Sequence, residues 1–215
     1  MSKKVLITWG GWDGHEPEKT SNLMGDVLKA EGLEVEITDT LDCFEDEEKL
    51  KTYDLVIPCW TMSEMKGKLS GNLRKAVRSG VGIAGWHGGM GDSFRSDTEY
   101  QFMVGGQFIC HPGGIIDYTV NITAKDDPIV AGLNDFSVKS EQYYMHVDPS
   151  NEVIANTTFN ADHLDWIDGC VMPVVWKRQY GVGKVFYSAL GHVAADFEVP
   201  EVKEIMKRGA IWACR

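Results

Sequence analysis

The stretch GIAGWHGG, Gly82–Gly89, is a run of small and apolar residues leading into a glycine-rich turn with a histidine at its tip. Its first half has the character of a strand buried on both faces, as in a parallel sheet. Gly85-Trp86-His87-Gly88-Gly89 then takes the form G-x-His-x-G. In a nucleophile elbow the central residue sits on a strained strand-to-helix turn, and small neighbours let other backbone pass close by. The glycines meet that need here, but imidazole is rarely the covalent nucleophile in hydrolysis of ordinary esters, amides or glycosides. A neutral imidazole can instead take up a proton or bind a metal. A helix expected to begin near Asp92–Ser93 would set its positive end beside the ring and favour the neutral form. The plainer alternative is a turn whose histidine only hydrogen-bonds nearby backbone.

Before this turn, strand and helix patterns alternate. Lys4–Trp9, Leu33–Thr38, Tyr53–Cys59 and Val81–Gly85 read as strands, with helices over Glu18–Glu31 and Leu69–Ser79 between them. The acidic segment Asp42–Lys51 reads as a solvated helix or turn. Such alternation predicts a mostly parallel sheet wound with right-handed crossovers. The second half is richer in strands, expected at Asp117–Ala124, Asn134–Ser140, Glu152–Thr157 and Val171–Lys177. A hairpin around Gly181–Gly183 returns as Lys184–Leu190, and a last helix covers Pro200–Ala213. Without repeat, linker or low-complexity segment, residues 1–215 read as one α/β domain.

Composition narrows the function. A net charge of −11 leaves no basic stripe to neutralise phosphates, so no nucleic-acid partner is expected. No run approaches the ~20 apolar residues of a membrane span. MSKKVLITWGG passes straight into a strand-like run, so no signal peptide is expected. Cys43, Cys59, Cys110, Cys170 and Cys214 are odd in number and show no CxxC spacing. They read as reduced thiols of a cytoplasmic protein rather than a zinc knuckle or disulfide framework. Neither GGMGDSF nor GGQF matches a P-loop, and no GxGxxG follows the first strand, so nucleotide binding is not expected.

Several longer stretches carry a resemblance: WGGWDGHEP (Trp9–Pro17), GIAGWHGG, GDSFRSDTEYQFMVGGQFICHP (Gly91–Pro112), SEQYY (Ser140–Tyr144) and PVVWKRQYGVGKVFYSALGH (Pro173–His192). In this order they resemble the ThuA-like (trehalose utilization) family of the class I glutamine amidotransferase-like superfamily, over essentially the whole chain. The resemblance implies a flavodoxin-like three-layer sandwich. Amidotransferase relatives carry a cysteine at the elbow and a histidine followed by a carboxylate after a late strand. Here His87 holds the elbow, while His192 lies in ALGHVAAD, so glutamine hydrolysis through a thiolate is not expected. The family's association with disaccharide catabolism, beside NAD-dependent sugar oxidoreductases, implies chemistry on a sugar or oxidised sugar.

Open α/β sheets bind ligands beyond the carboxyl ends of their strands, where His15, His87 and His192 all fall. Two uses stay open. Three imidazoles and a water would make a catalytic site for a divalent metal such as zinc, assisted by Glu16 or Asp13. Otherwise the same histidines would serve as acid, base and donor around a sugar. The carboxylates expected to take part in catalysis are Asp13 and Glu141, the latter with a pKa raised by burial beside two tyrosines. Glu16 reads as a surface group. Trp12, Trp60 and Trp86 are expected to stack on a sugar, with His111 and Tyr143 also lining the pocket. Trp9 and Trp212 read as core, and His146 and His163 as surface or core residues. The partners expected are a small-molecule sugar and a second copy in a homo-oligomer. A non-catalytic sugar-binding or scaffold protein is the alternative reading.

Overall fold

The computed structural model describes residues 2–215. Its first half follows the alternation of the sequence: β1 (Lys4–Gly11), α1 (Pro17–Ala30), β2 (Glu34–Thr38), the single turn α2 (Glu47–Leu50), β3 (Leu55–Thr61), α3 (Gly67–Arg78) and β4 (Gly82–Trp86). Next come α4 (His87–Gly91), α5 (Thr98–Val104), β5 (Gly106–Cys110), β6 (Ile115–Ile122) and β7 (Phe136–Glu141). The chain ends with β8 (Tyr144–Val147), β9 (Glu152–Thr158), β10 (Val171–Tyr180), β11 (Gly183–Ser188) and α6 (Pro200–Ala213).

Nine strands form one sheet in the order β2-β1-β3-β4-β11-β10-β9-β6-β7. The first five pair in parallel, and from β11 outward every pairing is antiparallel. The parallel strands carry a continuous apolar core: Val5, Leu6 and Ile7 of β1 face Leu55, Val56 and Ile57 of β3, all buried. Burial on both faces requires helices on both faces, and right-handed crossovers in opposite directions along the sheet put α1 and α3 on opposite sides. The helix α6 packs beside α1, over β4 and β11. The result is the three-layer, flavodoxin-like arrangement.

Two features depart from the expected elements. The short strands β5 and β8 pair with each other in a separate two-stranded sheet. The helix expected to open near Asp92–Ser93 starts at His87 and ends at Gly91. Asp92 instead closes that turn and binds Arg95 through both carboxylate oxygens, at 2.6 and 2.7 Å. Asp97 caps the following helix by accepting from the N–H of Tyr100. Its capping side chain sets the later start.

Candidate functional site

His15, His87 and His192 each lie beyond the carboxyl end of a parallel strand. β1 connects outward to β2 while β3 connects the other way to β4, so a crevice opens where their connections diverge. His15 closes a single 3-10 turn, Asp13–His15, just after β1. His87 follows β4 directly, and His192 lies four residues beyond β11. The elbow is strained as its sequence implies, because His87 holds a left-handed φ of 46°. Gly88 lets the neighbouring loop close on it: a Cβ there would lie 2.5 Å from the His15 ring.

Glu141, the last residue of β7, completes the group from the far end of the sheet. Five strand spacings separate β4 from β7, roughly 24 Å in a flat sheet. The antiparallel wing must therefore curl back over the strand ends. Irregular register between β9 and β10 around Pro173–Trp176 is a place where such bending is absorbed. The Tyr118 hydroxyl donates to the Glu141 backbone carbonyl at 3.2 Å, and Ser140 donates to Asp196 at 2.6 Å. These bonds tie the strand end in place.

The Glu141 carboxylate is ringed by imidazole nitrogens. His87 Nε2 lies 3.0 Å and His15 Nε2 4.0 Å from Oε2, while His192 Nε2 and His111 Nε2 lie 3.5 and 3.6 Å from Oε1. Donor atoms of His15, His87, Glu141 and His192 all fall within 4.8 Å of one another. The rings of His87 and His15 are oriented from behind or beside, and the backbone of His192 is held. His87 Nδ1 lies 2.8 Å from the Ala189 carbonyl oxygen, and His15 Nδ1 2.9 Å from Thr61 Oγ1. The Tyr143 ring stacks on His87 at 4.0 Å between centroids. Asp196 accepts from the backbone N–H of His192 at 3.0 Å.

The hydrogen-bond logic of His87 restricts what can occupy this space. A carbonyl only accepts, so Nδ1 carries the hydrogen and a neutral ring turns its Nε2 lone pair toward Glu141. A carboxylate also only accepts when ionised. Two lone pairs 3.0 Å apart need a cation between them, either a proton on Nε2 or a metal. Donors held at ~2.0–2.1 Å around a tetrahedral zinc stand about 3.4 Å apart. The separations of 3.0, 3.5 and 4.0 Å between Glu141 and the three histidines bracket that spacing, so the residues present fit such an ion.

Electrostatics points the same way. Burial lowers His15 to about 3, and the neighbouring His87 and His192 add to the effect. His192 is also lowered, first by burial and then by His87. Both are therefore neutral at physiological pH, the form that binds metal. Glu141 corrects the expected raised value. Burial does push it up, but the hydrogen bond with His87 and the surrounding histidines prevail and hold it at about 2.

The other candidates separate by position. Trp12 is 47% exposed and sets its indole edge-on to His15 at 4.8 Å, at the mouth of the site. Trp86 is only 2% exposed and packs edge-to-face on Phe197, so it belongs to the core rather than to a sugar-stacking wall. β4 is buried along its whole length, so either direction of a strand's side-chain alternation carries Trp86 into the core. Trp60 is half-buried with its ring over Gly10, and its buried indole N–H has no partner among the described residues. Tyr143 is buried in the wall of the site, and His111 stands at its open side. Asp13 is exposed and lies outside the cluster of donor atoms. Glu16 pairs with Lys19 and accepts from the N–H of Ala194. Trp9 packs partly buried against the core, as does Trp212.

Sequence reading passed over Thr61 and Ala189, which orient His15 and His87, and Asp196, which holds the backbone of His192. Thr61 ends β3 opposite Gly11 of β1, a register that only the fold displays. Asp196 follows His192 by four residues and resembles the carboxylate after the late histidine. The Ala189 carbonyl has no sequence signal at all.

The family model described as ThuA, trehalose utilisation, matches residues 4–213. A comparison with curated proteins returned no match. Among solved structures, a ThuA-like protein from Parabacteroides merdae superimposes with a TM-score of 0.80 at 17% identity, covering 99% of this chain and 90% of that one. A ThuA-like protein from Bacteroides uniformis gives 0.78 at 18% identity, over 97% and 89% of the two chains. A β-galactosidase from Bacillus circulans sp. alkalophilus gives 0.63 at 15% identity, covering 98% of this chain but 30% of that longer one. At these identities the likeness is one of fold.

Proposed function

From the premise that the chain belongs to the ThuA family of trehalose utilisation, we propose that it acts on a sugar or keto-sugar at the cluster around Glu141, with a divalent cation, zinc foremost, held by His15, His87 and His192. The supporting observation is the convergence of three imidazole Nε2 atoms on one carboxylate, with the hydrogen of His87 already committed to Ala189. A bound cation supplies Lewis-acid polarisation of a sugar carbonyl or hydroxyl.

The chain's own groups do the rest. Glu141 stays ionised at neutral pH and accepts hydrogen bonds from sugar hydroxyls. His192 is neutral and only 14% exposed; without a cation its Nε2 is free to accept a proton from a C–H acidified by a neighbouring carbonyl. With a cation bound, that lone pair is committed to the metal and the Glu141 carboxylate is the remaining base. Tyr143, with its pKa raised well above the ordinary value by burial, keeps its hydroxyl proton and remains a donor. Trp12 offers an exposed aromatic edge at the entrance. No covalent nucleophile is needed for isomerisation or elimination by such a set. Five free cysteines favour a reducing, cytoplasmic setting. Among the described residues no helix is long and apolar enough to cross a membrane.

Elemental analysis of protein purified without added metal or a metal-affinity tag tests the proposal. The expected result is about one zinc, manganese or nickel per chain, lost in His87→Ala. A metal-free wild type would overturn the metal role and leave His87 protonated against Glu141. Saturable sugar binding without conversion of any keto-sugar would make the protein a binder on the same fold.

A further inference from the structure

Two cavities meet at His163, and the first of them reaches His111 at the open side of the cluster. One, of about 410 Å³, is lined by Phe108, Ile109, His111, Pro112, His163 and Leu164. The other, of about 500 Å³, has a polar lining that includes Asp117, Asn121, Gln142, Asn160 and Asp162. His163 belongs to both. His111 joins the first to the cluster, because its Nε2 lies 3.6 Å from Glu141 Oε1 while 40% of its side chain is open to solvent. Shared wall residues thus string the three spaces into one path, cluster to first cavity through His111 and first cavity to second through His163. Each cavity alone falls in the ~300–1,000 Å³ range of ligand clefts.

Its walls are built, not incidental. The Gly114 N–H donates to the His111 carbonyl at 3.0 Å across Pro112 and Gly113, and Gly113 has a φ of 88°. Proline followed by a left-handed glycine is the type II turn, which fixes the direction of His111. A Cβ at Gly113 would strike the His163 ring, so only glycine lets His163 seat on the turn. Phe108 stacks with His111 at 5.8 Å and tilts against Tyr143 at 4.4 Å, linking the cavity wall to the ring over His87. The lining changes along the path from apolar side chains edged by imidazoles to amides and carboxylates. Sugar rings present the same two characters, apolar C–H faces and a belt of hydroxyls.

We infer that the path is an extended glycan groove: the sugar meeting the cluster is the end of a chain of at least three units. The next unit lies against Phe108 and Leu164, and the one beyond is held by the polar residues past His163. The inference rests on the assignment of the cluster to sugar chemistry, and it sets the substrate class as an oligosaccharide or long glycoside rather than a single sugar.

Calorimetric titration of the zinc-loaded protein with glucose, trehalose, maltotriose and cellotriose measures this. Affinity is expected to rise with length, with the better trisaccharide bound at least tenfold more tightly than glucose. Leu164→Trp fills the first cavity and should bring the trisaccharide down to the level of glucose while bound zinc persists. His163→Ala, which adds no bulk, should reduce the trisaccharide advantage at least threefold and covers the case in which the tryptophan variant misfolds. Equal affinities across the series, no binding by any of its members, or an unchanged series in both variants would overturn the groove. Repeating the series after zinc removal separates the two assignments. A length dependence that survives without zinc supports the groove and removes the metal from sugar binding.

Discussion

His15 provides a sharp test of the electrostatics, because it is buried, neutral and close to two other imidazoles. In the folded protein it titrates at about 3 against an ordinary value of 6.5. Above 6.5 neither state binds the proton, and the folded protein bears no cost. As pH falls below 6.5 the unfolded chain takes up a proton that the folded chain refuses until about 3, so stability drops through that window. Each pH unit costs about 1.4 kcal/mol, which makes about 2 kcal/mol between pH 7 and pH 5. For a chain of this size that is a fall of about 4–8 °C in Tm. Glu141 contributes nothing here. Its depressed value gives stability that is complete above 4.5 and lost only as pH falls toward 2. His192 acts in the same direction as His15 but is retained in the comparison. His15→Asn keeps a polar group near Thr61 and removes the titration. Thermal unfolding by circular dichroism at pH 7 and pH 5, with EDTA present, should show the wild type losing about 4–8 °C more than the variant. Equal losses, or a larger loss in the variant, would refute the assignment of a neutral, desolvated His15.

Four further outcomes follow from the geometry. Gly88→Val places methyl groups where a Cβ already lies 2.5 Å from the His15 ring, so unfolding should become easier by about 1–3 kcal/mol, and zinc titration should show at least a tenfold weaker site. Asp196→Asn removes the charge that accepts from Ser140 and from the His192 N–H; calorimetry should report zinc bound about 10–100-fold more weakly with the fold retained. Trp86→Ala should cost about 3–5 kcal/mol in urea unfolding because the ring is core. Trp12→Ala, at the exposed mouth, should change stability by less than about 0.5 kcal/mol yet weaken sugar binding.

The elements of the parallel half were legible to within a few residues. Buried strands there are unbroken apolar runs, and α1 and α3 have clear helical periodicity between them. The antiparallel wing was legible as strands but not as pairings, since β6 finds β9 across a gap of thirty or more residues. The short strands β5 and β8 went unread because β5 shows neither an apolar run nor a clean alternation and β8 spans only four residues. At the site, the positions of His15, His87 and His192 beyond strand ends were readable from local pattern alone. Trp12 and Trp86 looked alike in sequence and proved opposite in the fold. One sits on an exposed turn and the other ends β4, a strand buried along its whole length.

What the sequence by itself determined is a parallel sheet, a strained glycine-rich elbow carrying a histidine, and two further histidines at neighbouring strand ends. Periodicity and turn chemistry are local, so a single chain displays them. Only the tertiary structure decided that Glu141 reaches these histidines, because its strand lies five spacings away and arrives by curvature of the whole wing. The same closure reversed the expected sign of its pKa. Burial alone would have raised it, but burial came together with imidazoles that favour the charged carboxylate. The direction in which a buried group shifts depends on which groups are buried with it, and that is settled by packing between segments far apart in the chain.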